Sequence, residues 1–197
     1  MKILSKACGD YQTNCYIVKV DGKDFIIDPG IGATKWVMEN VENPKAILNT
    51  HGHFDHVWSN SELKEKLEIP IYAPEGDEFL LKDDQHGFNM PSSTADFKIK
   101  GDKVINIDGV DFKFALFAGH TPGCSIIEID GNIFSGDFIF AGSIGRVDFP
   151  YSNPNDMKNS IKKFLKRDDN AKIYPGHGGS TTVKKEQGGL KRWLDFI

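Results

Sequence analysis

The stretch KAILNTHGHFDHVWSN, residues 45–60, decides how this chain is read. Its first part, KAILNT, is a short apolar run of the kind that forms a buried strand. Directly after it His51, His53, Asp55 and His56 fall within six positions, and they include half of the six histidines in the sequence. Imidazoles and a carboxylate crowded at a strand's end have little to gain from one another except through a shared metal ion.

Three more such groups occur downstream in the same context. His120 follows FKFALFAG, Asp137 follows NIFSG, and His177 follows AKIYPG. Each comes after an apolar strand and opens a loop, with glycine alongside in AGHTPG, SGD and PGHGG. Layered α/β folds bind ligands beyond the carboxyl ends of their strands, so loops distant in sequence can deliver all seven groups to one place. A lone histidine at a strand end is ordinarily a hydrogen-bonding terminus, and His120 and His177 take their meaning from the 51–56 cluster. Neutral imidazole nitrogen and carboxylate oxygen suit zinc, and equally iron or manganese. Seven donors exceed the needs of one tetrahedral ion but suit two ions sharing a bridging carboxylate. The H-x-H-x-D-H spacing is expected on an extended loop whose alternating side chains address both ions, with glycines letting the backbone pass close to them.

The remaining sequence supplies strands and helices in a regular rhythm. NCYIVKV (14–20) and KDFIIDPG (23–30) read as a hairpin about Asp21-Gly22. Helices are expected at 33–41, 60–68, 74–82 and about 154–167, and a short one from about 181. Strands are expected at 45–50, 69–73, 103–107, 110–118, 124–130, 132–136 and over AKIYP. Residues 83–98 lack periodicity and are expected to form a long loop beside the site. Each half runs strands first and strand–helix units after, which two sheets packed face to face with helices outside would bury.

Bulk properties narrow the function. With 197 residues, 39% hydrophobic and 26% charged, the chain is expected to be one folded domain, 1–197. Its 24 basic and 28 acidic residues leave a net charge of −4 with no basic stripe, against a nucleic-acid partner. No apolar run has membrane-spanning length and no signal peptide is legible, so no membrane association is expected. Three scattered cysteines form no disulfide framework, and a cytoplasmic setting is expected.

THGHFDH with His120, Asp137 and His177 resembles the metallo-β-lactamase superfamily, and IIDPG (26–30), GHTPG (119–123), SGD (135–137) and YPGHG (174–178) match its other motifs in order. The resemblance spans nearly the whole chain and is greatest toward single-domain glyoxalase II-like hydrolases, with FAGSIGRVDFP (140–150) after the aspartate. It implies an α+β, four-layer αββα sandwich of two mixed sheets, without the C-terminal helical domain of glyoxalase II. It implies two zinc ions, with iron or manganese as substitutes: His51, His53 and His120 on the first, Asp55, His56 and His177 on the second, Asp137 bridging. It implies hydrolysis of an ester or thioester, such as an S-2-hydroxyacylglutathione or related thiol conjugate, by water activated between the ions, Asp55 orienting that water. Lactonase and phosphodiesterase activities of the superfamily are less expected. True β-lactamases place a cysteine where Asp137 stands, which disfavours antibiotic hydrolysis. Arg146 is the candidate substrate-binding residue. Asp28 is read as a turn residue supporting the site, His86 as a surface histidine, and Cys8 and Cys15 as small apolar residues. Cys124 is similar to the cysteine of persulfide dioxygenases, which hold a single iron, and it keeps that oxidoreductase chemistry open as an alternative.

Overall fold

The computed structural model describes residues 1–82 and 87–197. Strands β1 (Lys2–Cys8), β2 (Thr13–Val20) and β3 (Lys23–Ile27) form an antiparallel meander, and helix α1 (Ala33–Asn40) leads to β4 (Pro44–Leu48). The helical turn α2 (Phe54–Val57), helix α3 (Asn60–Leu67), strand β5 (Ile71–Pro74), a 3-10 turn at Glu75–Asp77, helix α4 (Glu78–Lys82) and strand β6 (Phe97–Ile99) follow. The second half contains β7 (Lys103–Ile107), β8 (Val110–Leu116), β9 (Ser125–Ile129), β10 (Asn132–Gly136), and the small hairpin β11 (Ile139–Phe140) with β12 (Ser143–Ile144). Helix α5 (Pro154–Phe164), β13 (Lys172–Pro175), β14 (Thr181–Thr182) and α6 (Val183–Phe196) complete it.

Two six-stranded mixed sheets result, ordered β1-β2-β3-β4-β5-β6 and β14-β13-β10-β9-β8-β7. Period-two side-chain alternation explains why they face each other. In β3, Phe25 and Ile27 enter the core between the sheets, where they meet Phe112 and Phe114 of β8. Ile26 points the other way, under α1 and α3, together with Val37 and Leu63. On the second sheet Ile126 and Ile133 are covered by Met157 and Ile161 of α5 and by Val183 and Leu190 of α6. The four layers are therefore α/β/β/α. Parallel pairs β3–β4, β4–β5 and β10–β13 require crossovers, which is what places helices on the outer faces.

Asp21 and Gly22 turn the β2–β3 hairpin with φ of 50° and 70°, the twist that a two-residue loop needs. Two expectations change. Of the loop expected over 83–98, residues 83–86 lie outside the described residues, and its end is replaced by Phe97–Ile99, which pairs in parallel with β5 as an edge strand. The last helix is 14 residues, not short, since its apolar stripe closes the outer face of the second sheet. His86 lies outside the described residues. Among those described, no helix is long and apolar enough to cross a membrane.

Asp24 fastens the start of β3 to the loop before β4. Its Oδ2 accepts the N–H groups of Glu42 and Asn43 at 2.5 and 2.9 Å, and Lys19 Nζ lies 3.3 Å from Oδ1. Burial alone would raise this carboxyl, but the two N–H donors and the ammonium outweigh it and hold it below its ordinary 3.8. A depressed folded value gives stability that is full above the unfolded value and is lost as pH falls through the folded one. Asp24→Asn is expected to cost about 2 kcal/mol at neutral pH in urea unfolding, with the difference from wild type shrinking below about pH 4.

Candidate metal centre

The carboxyl ends of β4, β8, β10 and β13 open onto one edge of the sandwich, and each delivers a part of the cluster. His51 and His53 follow β4, His120 follows β8, Asp137 follows β10 and His177 follows β13. Asp55 and His56 come from α2, a helical turn that His53 precedes in extended conformation. The extended loop expected from the H-x-H-x-D-H spacing is thus extended only as far as His53. A helical turn then swings Asp55 and His56 into the second half of the site.

All seven groups converge. One nitrogen from each of His51, His53 and His120 lies within 4.8 Å of the others, and so do the donor atoms of Asp55, His56 and His177. Asp137 stands between the two sets: its Oδ1 is 3.3 Å from His56 Nε2, and its Oδ2 is 3.4 Å from both His120 Nε2 and His177 Nε2. Asp55 Oδ2 lies 3.4 Å from His177 Nε2 and 3.6 Å from His56 Nε2. The backbone is shaped for this. A Cβ at Gly176 would sit 2.1 Å from Asp137 Oδ1, and Gly136 occupies a φ of 48° with Thr50 Oγ1 only 2.2 Å from any Cβ it might carry. Only glycine fits either place.

The far nitrogens are held from behind, which orients the near ones. His56 Nδ1 lies 3.1 Å from Asp28 Oδ2, His120 Nδ1 is 2.8 Å from the Arg146 carbonyl, and His177 Nδ1 is 3.0 Å from the Tyr11 carbonyl. The Thr50 hydroxyl donates to Asp28 Oδ2 at 2.6 Å and sits 3.1 Å from His51 Nδ1, so it can accept from that ring. Asp28 is buried at a φ of 49° and also takes the Thr50 N–H, so both its oxygens are engaged with the protein. Its oxygen also lies near enough to His51 and His56 to group with them. Thr13 donates to Asp55 Oδ2 at 2.5 Å.

Three buried atoms, His51 Nε2, His56 Nε2 and Asp137 Oδ1, have no hydrogen-bond partner among the described residues. His56 Nε2 and Asp137 Oδ1 are close but not aligned as donor and acceptor. Orphaned buried polar atoms cost about 1–3 kcal/mol each, and here they all point into the same small space. The electrostatics agree. Burial, reinforced by His56, drives His51 well down, and burial with His120 brings His53 to about 3. Burial depresses His120 as well. Burial opposes it, yet Asp55 and Asp137 hold His56 well above its ordinary range, and hydrogen bonds to Asp137 and Asp55 raise His177 to about 9. Asp137 is held well below the usual carboxylate range by His56, against its own burial. The carboxylates thus draw positive charge into the pocket, and divalent cations in the same place would displace those protons. These are metal-binding clusters of histidine and aspartate.

Arg146 does not reach them with its side chain. Its guanidinium is exposed, bound by Nε and Nη2 to Asp148 at 2.8 and 2.7 Å and stacked 4.2 Å over the Phe149 ring. What supports the site is its carbonyl, on His120. Cys124 is fully buried, with burial first and then the charges of Asp77, Asp137 and Asp28 pushing its thiol well up, and it belongs to the apolar cluster that includes Met157 and Ile161 of α5.

One residue was not legible in the sequence. Asp77 is buried at the end of the 3-10 turn, where it accepts Gly52 N–H at 2.9 Å, the Thr121 hydroxyl at 2.6 Å and Gly123 N–H at 2.5 Å. It ties the loop carrying His51 and His53 to the loop carrying His120. Within APEGDEF it reads as an ordinary acid at a helix start, and nothing local marks the long-range contacts. Asp77→Asn turns an amide donor toward one of the two N–H groups, so it is expected to destabilise the fold by about 2–3 kcal/mol in denaturant. Chelator competition is expected to show roughly tenfold weaker metal binding in the three-histidine set.

Comparisons with known proteins agree with this geometry. Residues 8–177 match the family described as the metallo-beta-lactamase superfamily. Hydroxyacylglutathione hydrolase GloC of Haemophilus influenzae is 35% identical over 194 residues, covering 90% of this chain and 91% of that protein. The crystal structure of BLEG-1 B3 metallo-beta-lactamase superposes with a TM-score of 0.89 at 27% identity, over 98% of this chain and 99% of that one. The structure of TTHA1623 in a di-iron-bound form gives 0.76 at 28% identity, over 98% and 100%. With its four-layer sandwich and its converging histidines and aspartates, the chain belongs to the metallo-beta-lactamase superfamily.

Proposed function

We propose that this protein is a dinuclear metallo-hydrolase that cleaves a carboxylic thioester or ester of a small-molecule substrate, the class of bond that the name of its relative GloC implies. The observation that carries this reading is the pair of three-donor sets joined by Asp137, each aimed at a buried space that holds orphaned lone pairs. In it His51, His53 and His120 would hold the first ion, Asp55, His56 and His177 would hold the second, and Asp137 would serve both. Bound zinc, or iron or manganese in its place, supplies a Lewis acid and brings the pKa of coordinated water to near 7.

The chain's own residues do the rest. Asp55 has one oxygen fixed by the Thr13 hydroxyl and borders the open cleft, so its carboxylate can orient the attacking water and hold its proton. Water adds to the carbonyl carbon, the carbon–sulfur or carbon–oxygen bond breaks, and the products are the carboxylic acid and the thiol or alcohol. A thiolate leaves readily, so little acid help is needed. Cys124 lies in the apolar core, and a persulfide dioxygenase holding a single iron is the alternative that metal analysis separates. The three free cysteines are all buried, in keeping with the proposed cytoplasmic setting.

Metal analysis of the purified protein is expected to give two ions per chain under this proposal, with thioester hydrolysis. One iron per chain, with oxygen consumed on glutathione persulfide, would replace hydrolysis by dioxygenation. Asp137→Ala is expected to lower the metal content to one ion or fewer and hydrolysis by about 100-fold or more, since even a residue that merely supports a ligand costs 10–100-fold.

A further inference from the structure

The space in front of the cluster is a cleft of about 460 Å³, bordered by His53, Asp55, His120, Asp137 and His177 at its floor. Its walls are aromatic. Tyr11 meets Phe54 edge-on at 5.0 Å between ring centroids, and Phe54 meets Phe88 at 4.9 Å. Opposite, Phe149 sits 5.9 Å from the His53 ring, and Phe140 is 5.8 Å from His177. Tyr11 and Phe88 are half exposed, at 50% and 47%, so the cleft offers water a broad apolar surface beside buried ionisable groups. Such surface is the expected complement of an apolar ligand group.

The charge at the rim points the same way. Arg146 is the sole lysine or arginine among the described residues that line the cleft, and residues 83–86 add none. Its guanidinium is already taken in a two-pronged pair by Asp148 and laid flat on Phe149. Two of its three nitrogens face the Asp148 carboxylate, which also balances its charge, so Arg146 attracts an incoming carboxylate less than an unpaired guanidinium would. Glutathione carries a pair of carboxylates against a single ammonium, and among the described residues that line the cleft no lysine or arginine besides the paired Arg146 is there to receive them.

We infer that the cleft selects neutral thioesters or esters bearing an aromatic or similarly bulky apolar group, and that Asp148, by holding Arg146, discriminates against anionic conjugates such as those of glutathione. This inference rests on the hydrolase reading and narrows its substrate class. Asp148 is a specificity-determining residue at the rim and touches none of the reacting atoms.

Two substrates with the same acyl group isolate the effect: S-lactoylglutathione and the lactoyl thioester of benzyl mercaptan, with metal-loaded full-length protein. The benzyl thioester is expected to show at least a tenfold higher kcat/KM. Asp148→Asn, an exposed change that leaves the core intact, frees Arg146. It is expected to raise kcat/KM for S-lactoylglutathione several-fold, through KM, and to leave the benzyl thioester unchanged. Phe149→Ala is expected to raise KM for the benzyl thioester several-fold. A wild-type preference for S-lactoylglutathione, or an Asp148→Asn variant that improves neither substrate, overturns the inference while leaving the hydrolase intact. Hydrolysis of neither thioester overturns the hydrolase reading instead. Calorimetric binding of N-benzyllactamide against S-methylglutathione then decides the inference: tighter binding of the benzyl amide supports it, and tighter binding of S-methylglutathione overturns it.

Discussion

The arrangement depends on bringing the Asp137 carboxylate within reach of three imidazoles that arrive from three different strand ends. Like-charged or neutral donors do not gather of their own accord in a buried space, and each polar atom left without a partner there raises the free energy of the folded state. The fold meets this constraint with backbone. Glycines at 136 and 176 let two chains pass where any side chain would collide with Thr50 or with Asp137 itself. The far nitrogens of His51, His56, His120 and His177 are then fastened to Thr50, Asp28 and two carbonyls, so that their near nitrogens keep one direction. The affinity of the centre for a cation is in this sense prepared before any cation arrives.

Much of this was legible in the sequence because it follows local rules. The apolar run in DFII and the alternation in VDFKFAL signalled strands, and the DG pair signalled its hairpin. Each candidate ligand came just after an apolar strand, which is why residues as distant as His51 and His177 could be assigned to one edge. What stayed hidden depends on contacts with distant partners. Asp77 shows no local mark of the two loops it joins. The exposed edge strands β1 and β6 lack a buried pattern on both faces, so periodicity passes over them. Arg146 was singled out as a substrate-binding residue and does line the cleft, but its pairing with Asp148 and the hold of its carbonyl on His120 had no mark in the sequence. Asp55 and His56 were placed on an extended loop because spacing alone does not reveal a single helical turn.

Within the superfamily, the same strand-end scaffold accommodates proteins named as a hydrolase of hydroxyacylglutathione and as a B3 metallo-beta-lactamase. On the hydrolase reading proposed for this chain, the core and the donor set would supply the activated water, and the walls would decide what is attacked. Those walls here come from segments outside the two six-stranded sheets: Tyr11 before β2, Phe88 between α4 and β6, and Phe140 to Phe149 after β10. Loops of this kind can change without disturbing the sandwich.

Tyr11 accepts from His177 across 166 positions of chain, Asn14 donates to the Gly178 carbonyl across 164, and Thr13 bridges to His177 as an isolated pair. Segments near the two ends of the sequence thus clasp each other at the rim of the site. Ring closures of that length are among the last and slowest events in folding. The centre is therefore complete only when the whole sandwich is, and a cation held there stabilises the entire molecule rather than one loop. Loading the protein with metal should accordingly slow its global opening, and amide protons deep in β3 and β8, far from any ligand, should register the event.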